Sequence, residues 1–138
     1  MNDLVLPTFI PEPSSLTQPF WDLAARGVLS RQRCKQCDYQ MFPPQFACRM
    51  CLDTSLAWVP SKGLGRLYSF SLLHVGIDGR ALPQPIILVD IDLEEGWNML
   101  TNLINCPLDE VRCDMAVTVT WKRLSASINL PVFEPAGR

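Results

Sequence analysis

Four cysteines, arranged as two pairs, carry the clearest chemical signal in this sequence. Cys34 and Cys37 form one Cys-x-x-Cys pair, and Cys48 and Cys51 form a second pair after ten intervening residues. Four thiolates close a tetrahedron around Zn²⁺ at Zn–S distances of about 2.3 Å, which leaves no position for water or substrate. The spacing therefore predicts a structural zinc site. Iron is the alternative metal, because four thiolates also suit iron.

The residues beside the cysteines affect the charge and the backbone geometry of this site. Four thiolates on Zn²⁺ leave a formal charge of −2, which Arg33, Lys35 and Arg49 are placed to offset. Asp38 and Leu52 follow the two pairs, at positions where glycine is common. Aspartate adopts a left-handed backbone more readily than leucine does. A segment this small gains its stability from the metal, so metal removal is expected to unfold residues 31–60.

The other residues that could do chemistry favour structural roles. His74 is the single histidine, and no feature of the sequence places it near Cys106 or Cys113 as the base that a catalytic thiol needs. The acidic residues between 90 and 95 fit a solvated strand face and turn. No glycine-rich phosphate loop, nucleophile elbow or His-Glu-x-x-His motif occurs. We therefore predict no catalytic residues, and a protein that is not itself an enzyme.

Composition and charge narrow the class of protein. The chain has 138 residues, 48% of them hydrophobic and 19% charged, which is typical of a globular chain. Twelve basic residues against fourteen acidic ones argue against a dedicated nucleic-acid binder, which draws its affinity from lysine and arginine. The longest apolar runs are too short to cross a bilayer. With no signal peptide visible, we expect a cytoplasmic protein with reduced cysteines.

A short helix is predicted before the cysteine pairs. Thr17 is a candidate N-cap, Pro19 lies in the first turn, and Gly27 stands where a helix ends. Phe20, Leu23 and Ala24 share one face, and either this face packs on the rest of the chain or the arm and helix dock on a partner. We expect three parts: an N-terminal arm and helix over 1–30, a zinc ribbon over 31–60, and a barrel over 61–138.

The sequence of the third part, residues 61–138, is typical of short strands joined by turns that contain glycine. Residues 66–75 predict a strand with two largely apolar faces, covered on both sides. Residues 87–93 alternate apolar side chains with Asp90 and Asp92, as in a half-buried strand. Further strands are predicted over 97–104, 116–124 and 128–133. Five or six strands without an intervening helix suggest an oligonucleotide/oligosaccharide-binding (OB) barrel, so the predicted fold class is mainly β.

An ordered set of short motifs resembles a known family. The set runs through Pro19-Phe20-Trp21, Gln32-Arg33-Cys34, Pro43-Pro44, Trp58, Ser61-Lys62-Gly63, Gly65-Arg66-Leu67-Tyr68-Ser69-Phe70, His74 and Leu130-Pro131-Val132-Phe133-Glu134-Pro135, with both cysteine pairs in place. Over about residues 15–135 the chain resembles the zinc-ribbon and OB-fold proteins of domain-of-unknown-function family 35, which are associated with acyl-CoA metabolism.

This resemblance implies a function carried out together with another protein. Members of the family are similar to accessory subunits of thiolase-superfamily enzymes, or of MaoC-like enoyl-CoA hydratases, in which the partner supplies the catalytic residues. It implies a hetero-oligomer in which a CoA thioester binds at or near the partner interface and the partner makes or cleaves a carbon–carbon bond. The interface residues that we predict are Phe20, Trp21, Met41 and Phe42. A single-stranded nucleic-acid-binding OB protein is the remaining alternative.

Overall fold

The structure is a computed structural model that describes residues 10–137. The first nine residues of the predicted N-terminal arm lie outside the described residues. Helix α1 spans Gln18–Ala25 and carries a proline in its first turn, as predicted. Thr17 holds the N-cap position, but its hydroxyl accepts a hydrogen bond from the Ser14 N–H instead of capping the helix. Gly27 follows the helix at φ 74°, a backbone conformation that glycine adopts without steric cost.

A small antiparallel sheet follows the helix and carries the cysteine pairs. Its strands are β1 (Ser30–Cys34), β2 (Gln40–Met41) and β3 (Leu56–Pro60), in the order β2-β1-β3. The long excursion between β2 and β3 contains a cis peptide bond between Phe42 and Pro43. This sheet is the predicted ribbon: one cysteine pair lies at the end of β1 and in the turn after it, and the other pair lies in the excursion.

Five further strands close into a barrel, at the lower end of the predicted five or six. They are β4 (Leu64–Val75), β5 (Ala81–Leu93), β6 (Asn98–Leu103), β7 (Ala116–Arg123) and β8 (Asn129–Pro135). The order around the barrel is β4-β5-β6-β8-β7, and β6 and β8 pair in parallel while the other neighbours are antiparallel. The predicted OB fold is confirmed. The division of the chain at residues 30 and 60 stays a prediction.

Strand β4 differs from its prediction. The coverage of this strand is uneven: Leu67 is buried and Leu72 is partly buried against the core, whereas Tyr68 is 64% exposed and Val75 55% exposed. The alternation of apolar side chains correctly indicated a strand, but the expectation that both of its faces are covered is wrong for this chain. The physical reason is that β7 runs beside β4 only from Leu64 to Arg66, so the rest of β4 has no neighbouring strand on that side, and from Leu73 onward it extends beyond β6.

Helix α1 packs on the chain's own core. Phe20 and Ala24 are buried, and the Phe20 ring lies 5.3 Å from Phe42 and 6.2 Å from Trp58 between ring centroids. At the end of the helix, the Asn129 side-chain amide donates a buried hydrogen bond of 2.9 Å to the Ala24 carbonyl. The first interpretation of this helix face, packing on the rest of the chain, is therefore confirmed. The helix, the ribbon and the barrel share one aromatic contact region.

Candidate metal centre

The fold brings the four cysteines of the two pairs into one cluster. Cys34 ends β1, Cys37 lies in the following turn, and Cys48 and Cys51 lie in the excursion between β2 and β3. All four Sγ atoms lie within 4.8 Å of one another. The Cys34 and Cys51 sulfurs are 3.5 Å apart, and those of Cys37 and Cys48 are 3.6 Å apart. A Zn²⁺ tetrahedron with bonds of about 2.3 Å requires about 3.8 Å between sulfurs, so the cluster fits this ion.

Two knuckles of matching geometry hold the sulfurs in place. In the first, the Asp38 N–H donates to the Cys34 carbonyl at 2.9 Å, and in the second the Leu52 N–H donates to the Cys48 carbonyl at 3.0 Å. Backbone N–H groups also point at the sulfurs, from Gln36 to Cys34 and from Met50 to Cys48, each at 3.4 Å. Such donors stabilise a thiolate over a thiol.

The left-handed backbone anticipated after each pair is present. Asp38 has φ 65° and Leu52 has φ 66°. A left-handed conformation costs roughly 1–2 kcal/mol for a residue with a Cβ, and less for aspartate because its short polar side chain can bond locally. Leu52 is also 77% exposed, so burial of its side chain within this chain does not offset that cost.

The pKa values of Cys48 and Cys51 show why a bound cation would stabilise the cluster. Burial works to raise the pKa of Cys48, but the N–H groups of Cys51 and Met50 and the neighbouring thiols lower it to about 7. For Cys51, the Asp53 N–H works to lower the pKa, but burial and the other three cysteines raise it to about 12. Each thiolate therefore disfavours ionisation of the next thiol. A divalent cation that binds all four sulfurs removes this electrostatic repulsion.

The donor set and the burial pattern both match a closed structural site. Cys34 and Cys48 are buried, while Cys37 and Cys51 face solvent. Four thiolates fill a tetrahedral coordination sphere, so the ion they would hold supports the fold of the ribbon and has no open position for chemistry. Arg33 lies 3.9 Å from Asp38, but this ion pair is largely exposed and contributes little to stability.

The other residues that could take part in catalysis lie on separate elements of the fold. His74 is exposed on the outer part of β4, Cys106 is buried after β6, and Cys113 is exposed before β7. Asp90 accepts a hydrogen bond from the Asn98 side chain on the neighbouring strand. The exposed His74 and the buried Cys106 thus lie in different environments.

Glu95 is a residue whose role sequence reasoning missed. It was expected in a solvated turn, but its Oε1 accepts from the Ser61 hydroxyl at 2.8 Å and from the Trp97 indole at 3.2 Å. Its Oε2 accepts from the Lys62 N–H at 2.8 Å. The Gln40 side chain of the ribbon donates to the Glu95 carbonyl. No local sequence signal marks this residue, because all of its partners except Trp97 come from positions distant in the chain.

The four predicted interface residues differ in their exposure. Phe20 and Met41 are 4% and 1% exposed, so they offer a second chain almost no surface. Trp21 and Phe42 are partly buried and, with Phe20, line an apolar groove of about 360 Å³ between the helix and β5, β6 and β8. A partner interface at these residues stays a prediction, and the accessible part of it consists of Trp21 and Phe42.

Comparison with known families agrees with this architecture. Residues 21–57 match the family described as "ChsH2, rubredoxin-like zinc ribbon domain", and residues 58–122 match "ChsH2, C-terminal OB-fold domain". The chain belongs to the ChsH2 (DUF35) family of zinc-ribbon and OB-fold proteins. The match assigns the cysteine cluster to the zinc ribbon of this family, which agrees with the geometry of the four sulfurs.

Individual members of the ChsH2 family show where such chains occur. The chain is 33% identical over 105 residues to the "Benzoylsuccinyl-CoA thiolase subunit BbsA" of Geobacter metallireducens, covering 75% of this chain and 69% of that one. It is 28% identical over 100 residues to a "DUF35 domain-containing scaffold protein" of Methanocaldococcus jannaschii, covering 72% and 71%.

A third relative is a longer protein. The chain is 30% identical over 118 residues to the "Probable enoyl-CoA hydratase alpha subunit" of Thermomonospora curvata. That match covers 85% of this chain but spans only 37% of the length of the relative.

A solved structure extends the comparison to three dimensions. The chain resembles a chain of the "Ltp2-ChsH2(DUF35) aldolase" with a TM-score of 0.81 and 28% identity, over 92% of this chain and 99% of that one. Among the described residues of this ChsH2-family chain, no helix combines the length and apolar character needed to span a membrane.

Proposed function

We propose that this chain is a non-catalytic accessory subunit of a thiolase-superfamily complex that acts on acyl-CoA thioesters. The observation that carries the proposal is the closed cysteine cluster, whose four sulfurs lie within 4.8 Å of one another and fill the coordination sphere of the ion they fit. The one constellation that resembles a metalloenzyme centre is therefore structural. The described residues hold no second group of three or more potential metal ligands.

The names of the relatives support the proposal that a partner protein performs the reaction. One relative is named as a subunit of a CoA-dependent thiolase, another as a scaffold protein, and a structural match comes from an aldolase complex. Thiolytic and retro-aldol reactions both make or cleave a carbon–carbon bond next to a carbonyl group. We propose this class of reaction for the partner, with the acyl-CoA bound at or near the interface between the two proteins.

The zinc ribbon is proposed to serve this role through its rigidity. A bound metal would fix the two knuckles, of which the second presents Met50 and Leu52 to solvent, and Glu95 joins the ribbon to the barrel. The four thiolates would hold Zn²⁺, which supplies folding free energy to the ribbon and no reaction step. Thiolate ligands also require reducing conditions, which supports the cytoplasm as the compartment.

Co-expression with a thiolase-superfamily protein from the same genome tests the proposal. We expect one hetero-oligomeric species by size-exclusion chromatography with light scattering, zinc bound to this chain, and acyl-CoA turnover by the complex. Neither protein alone should show the full activity. Two separate monodisperse species, or thioester turnover by this zinc-loaded chain alone, would refute the accessory role.

A second candidate keeps the same subunit role with a different enzyme. The similarity to the probable enoyl-CoA hydratase alpha subunit favours a hydratase of the MaoC-like class as the partner. Hydration of an enoyl-CoA, followed as loss of the conjugated absorbance, would then be recovered with that partner. Complex formation with the hydratase and none with the thiolase-like protein would select this candidate.

A further inference from the structure

Strands β4 and β5 are longer than the barrel requires. Strand β5 pairs with β6 only from Ile87 to Asp92, and β4 pairs with β7 only from Leu64 to Arg66. Residues 73–86 therefore form a two-stranded projection, and residues 68–72 leading to it run beside the part of β5 that pairs with β6. Residues 68–86 together are called here the arm. An isolated two-stranded hairpin is at best marginally stable in water, so a projection of this length gains stability when another surface covers it.

The arm exposes several large apolar side chains, on both faces of β4. Its exposed residues include Tyr68 (64%), Phe70 (38%), Leu73 (37%), Val75 (55%) and Ile77 (95%). Exposed apolar clusters of this kind mark interaction sites on soluble proteins. Full coverage of these side chains would remove on the order of 500 Å² of surface, against about 800 Å² per partner for a standard interface. The arm can thus supply most of one side of a stable interface.

The charge pattern of the arm determines which kind of partner surface it can bind. From Leu67 to Ile77 the sequence has no Asp, Glu, Lys or Arg, and at the tip Arg80 lies 4.0 Å from Asp78, so those two charges offset each other. By contrast, the exposed Met50 of the ribbon directly follows a charged residue, Arg49. An uncharged surface is matched by an uncharged apolar partner surface, because charges covered without a counter-charge are costly.

The two edges of the arm differ in their capacity to pair with a further strand. The β5 edge carries Pro83 and Pro85, which lack the N–H that a further strand requires. The β4 edge from Tyr68 to Val75 contains no proline and no Asp, Glu, Lys or Arg, two of the devices by which proteins protect an edge. The register of β4 with β5 shifts between Leu67 and Ser69 and between Leu73 and Val75, so the regular part of this edge runs from Ser69 to Leu73. Among residues 10–137, no strand pairs with this edge on the side away from β5.

We propose that the β4 edge from Tyr68 to Val75 accepts an extended, uncharged strand of the enzyme subunit, which adds a strand to the free side of β4. The main chain provides the hydrogen bonds of such strand addition, and the exposed side chains provide its apolar contacts. The identity of the partner rests on the proposed function. The location of the contact rests on the exposure, charge and proline pattern of the arm.

Backbone hydrogen exchange of the chain, free and in the complex, tests strand addition directly. Amides of residues 68–75 should exchange at least tenfold more slowly in the complex, while those of residues 81–86 keep their rates. In a matched pair of substitutions on exposed arm positions, Val75→Lys should weaken partner binding at least tenfold. Gln84→Lys, on the proline-bearing strand, should change it less than twofold. Both variants should keep the wild-type Tm and zinc content.

The possible failures are distinguishable. If the complex forms with unchanged exchange at residues 68–75 and with wild-type affinity for Val75→Lys, the inference is wrong and the proposed function stands. If the zinc-loaded wild-type chain forms no complex with the enzyme subunit, both the inference and the proposed function are wrong. If the chain alone is a dimer by light scattering and already shows the protection, a second copy occupies the edge and the inference is overturned.

Discussion

The Glu95 carboxylate accepts a hydrogen bond of 2.8 Å from the backbone N–H of Lys62, across the junction between the ribbon and the barrel. The same carboxylate binds the Ser61 hydroxyl, and the Glu95 carbonyl accepts from Gln40 of the ribbon. One residue in the turn between β5 and β6 thus holds both the linker and the ribbon. The relative placement of the zinc site and the barrel depends on this junction.

Loss of the charge at this junction should destabilise the protein at neutral pH. We expect Glu95→Gln to lower the free energy of unfolding by about 1–2 kcal/mol, since hydrogen bonds to a charged acceptor are replaced by weaker ones at a partly exposed site. Urea denaturation at pH 7 measures this loss. Glu94→Gln, at an exposed neighbouring position, is the matched control and should change stability little.

The same carboxylate predicts a pH dependence. Burial works to raise the pKa of Glu95, but the Lys62 N–H, the Ser61 hydroxyl and the Trp97 indole outweigh it and lower the pKa. A lowered pKa gives a stabilisation that is full above the unfolded-state value of about 4.3 and is lost as the pH falls through the folded-state pKa. The difference between wild type and Glu95→Gln should therefore shrink below about pH 4.3. A difference that grows on acidification would contradict the assignment.

Removal of the metal should unfold the ribbon before the barrel. Cys48→Ser removes a buried ligand, and we expect loss of stoichiometric zinc together with fast amide exchange over residues 31–57, because zinc supplies the folding free energy of such modules. The barrel strands should keep their protection. Cys113→Ser, an exposed cysteine outside the cluster, should retain one zinc per chain by elemental analysis. Full zinc content in Cys48→Ser would rule out the proposed ligand set.

Relief of the left-handed backbone at Leu52 should stabilise the protein. Leu52→Gly removes a residue with φ 66° that is 77% exposed, so we expect a gain of about 1 kcal/mol in the zinc-bound state. Leu52→Ala serves as the control, because it removes the same exposed side chain but keeps a Cβ in the strained conformation. Thermal unfolding should show a higher Tm for the glycine variant alone. Equal Tm values for the two variants would show that strain is not the cause.

The attachment of helix α1 should depend on one buried amide. Asn129→Ala removes a buried hydrogen bond to the Ala24 carbonyl, which then accepts only from the Gly27 N–H, at an expected cost of about 0.5–1.5 kcal/mol. Arg123→Ala removes a solvent-exposed bond of 3.2 Å to the Ala25 carbonyl and should cost much less. Urea titration with Trp21 fluorescence reports both the global stability and the helix environment. A larger loss in Arg123→Ala than in Asn129→Ala would reverse our ranking of the two contacts.

Several features followed from the sequence because they depend on neighbouring residues. The metal ligands are set by the spacing within each Cys-x-x-Cys pair, and the helix limits by Pro19 and Gly27, which act on their own stretch of backbone. The left-handed backbone at Asp38 and Leu52 was anticipated for the same reason. Strand positions followed from the alternation of apolar and polar side chains, which a strand places on opposite faces.

Tertiary structure decided what depends on residues far apart in the chain. The parallel pairing of β6 with β8 and the closure of β4 on β7 join segments that local patterns do not link. Glu95 is a structural junction because the barrel turn meets residues 61 and 62, more than thirty positions earlier. The alternation in β4 predicts apolar faces but not what covers them, since the same pattern suits burial in its own core or against another chain. The sequence therefore predicted the local chemistry of the chain but not the burial of its side chains, because burial depends on all the segments that pack together.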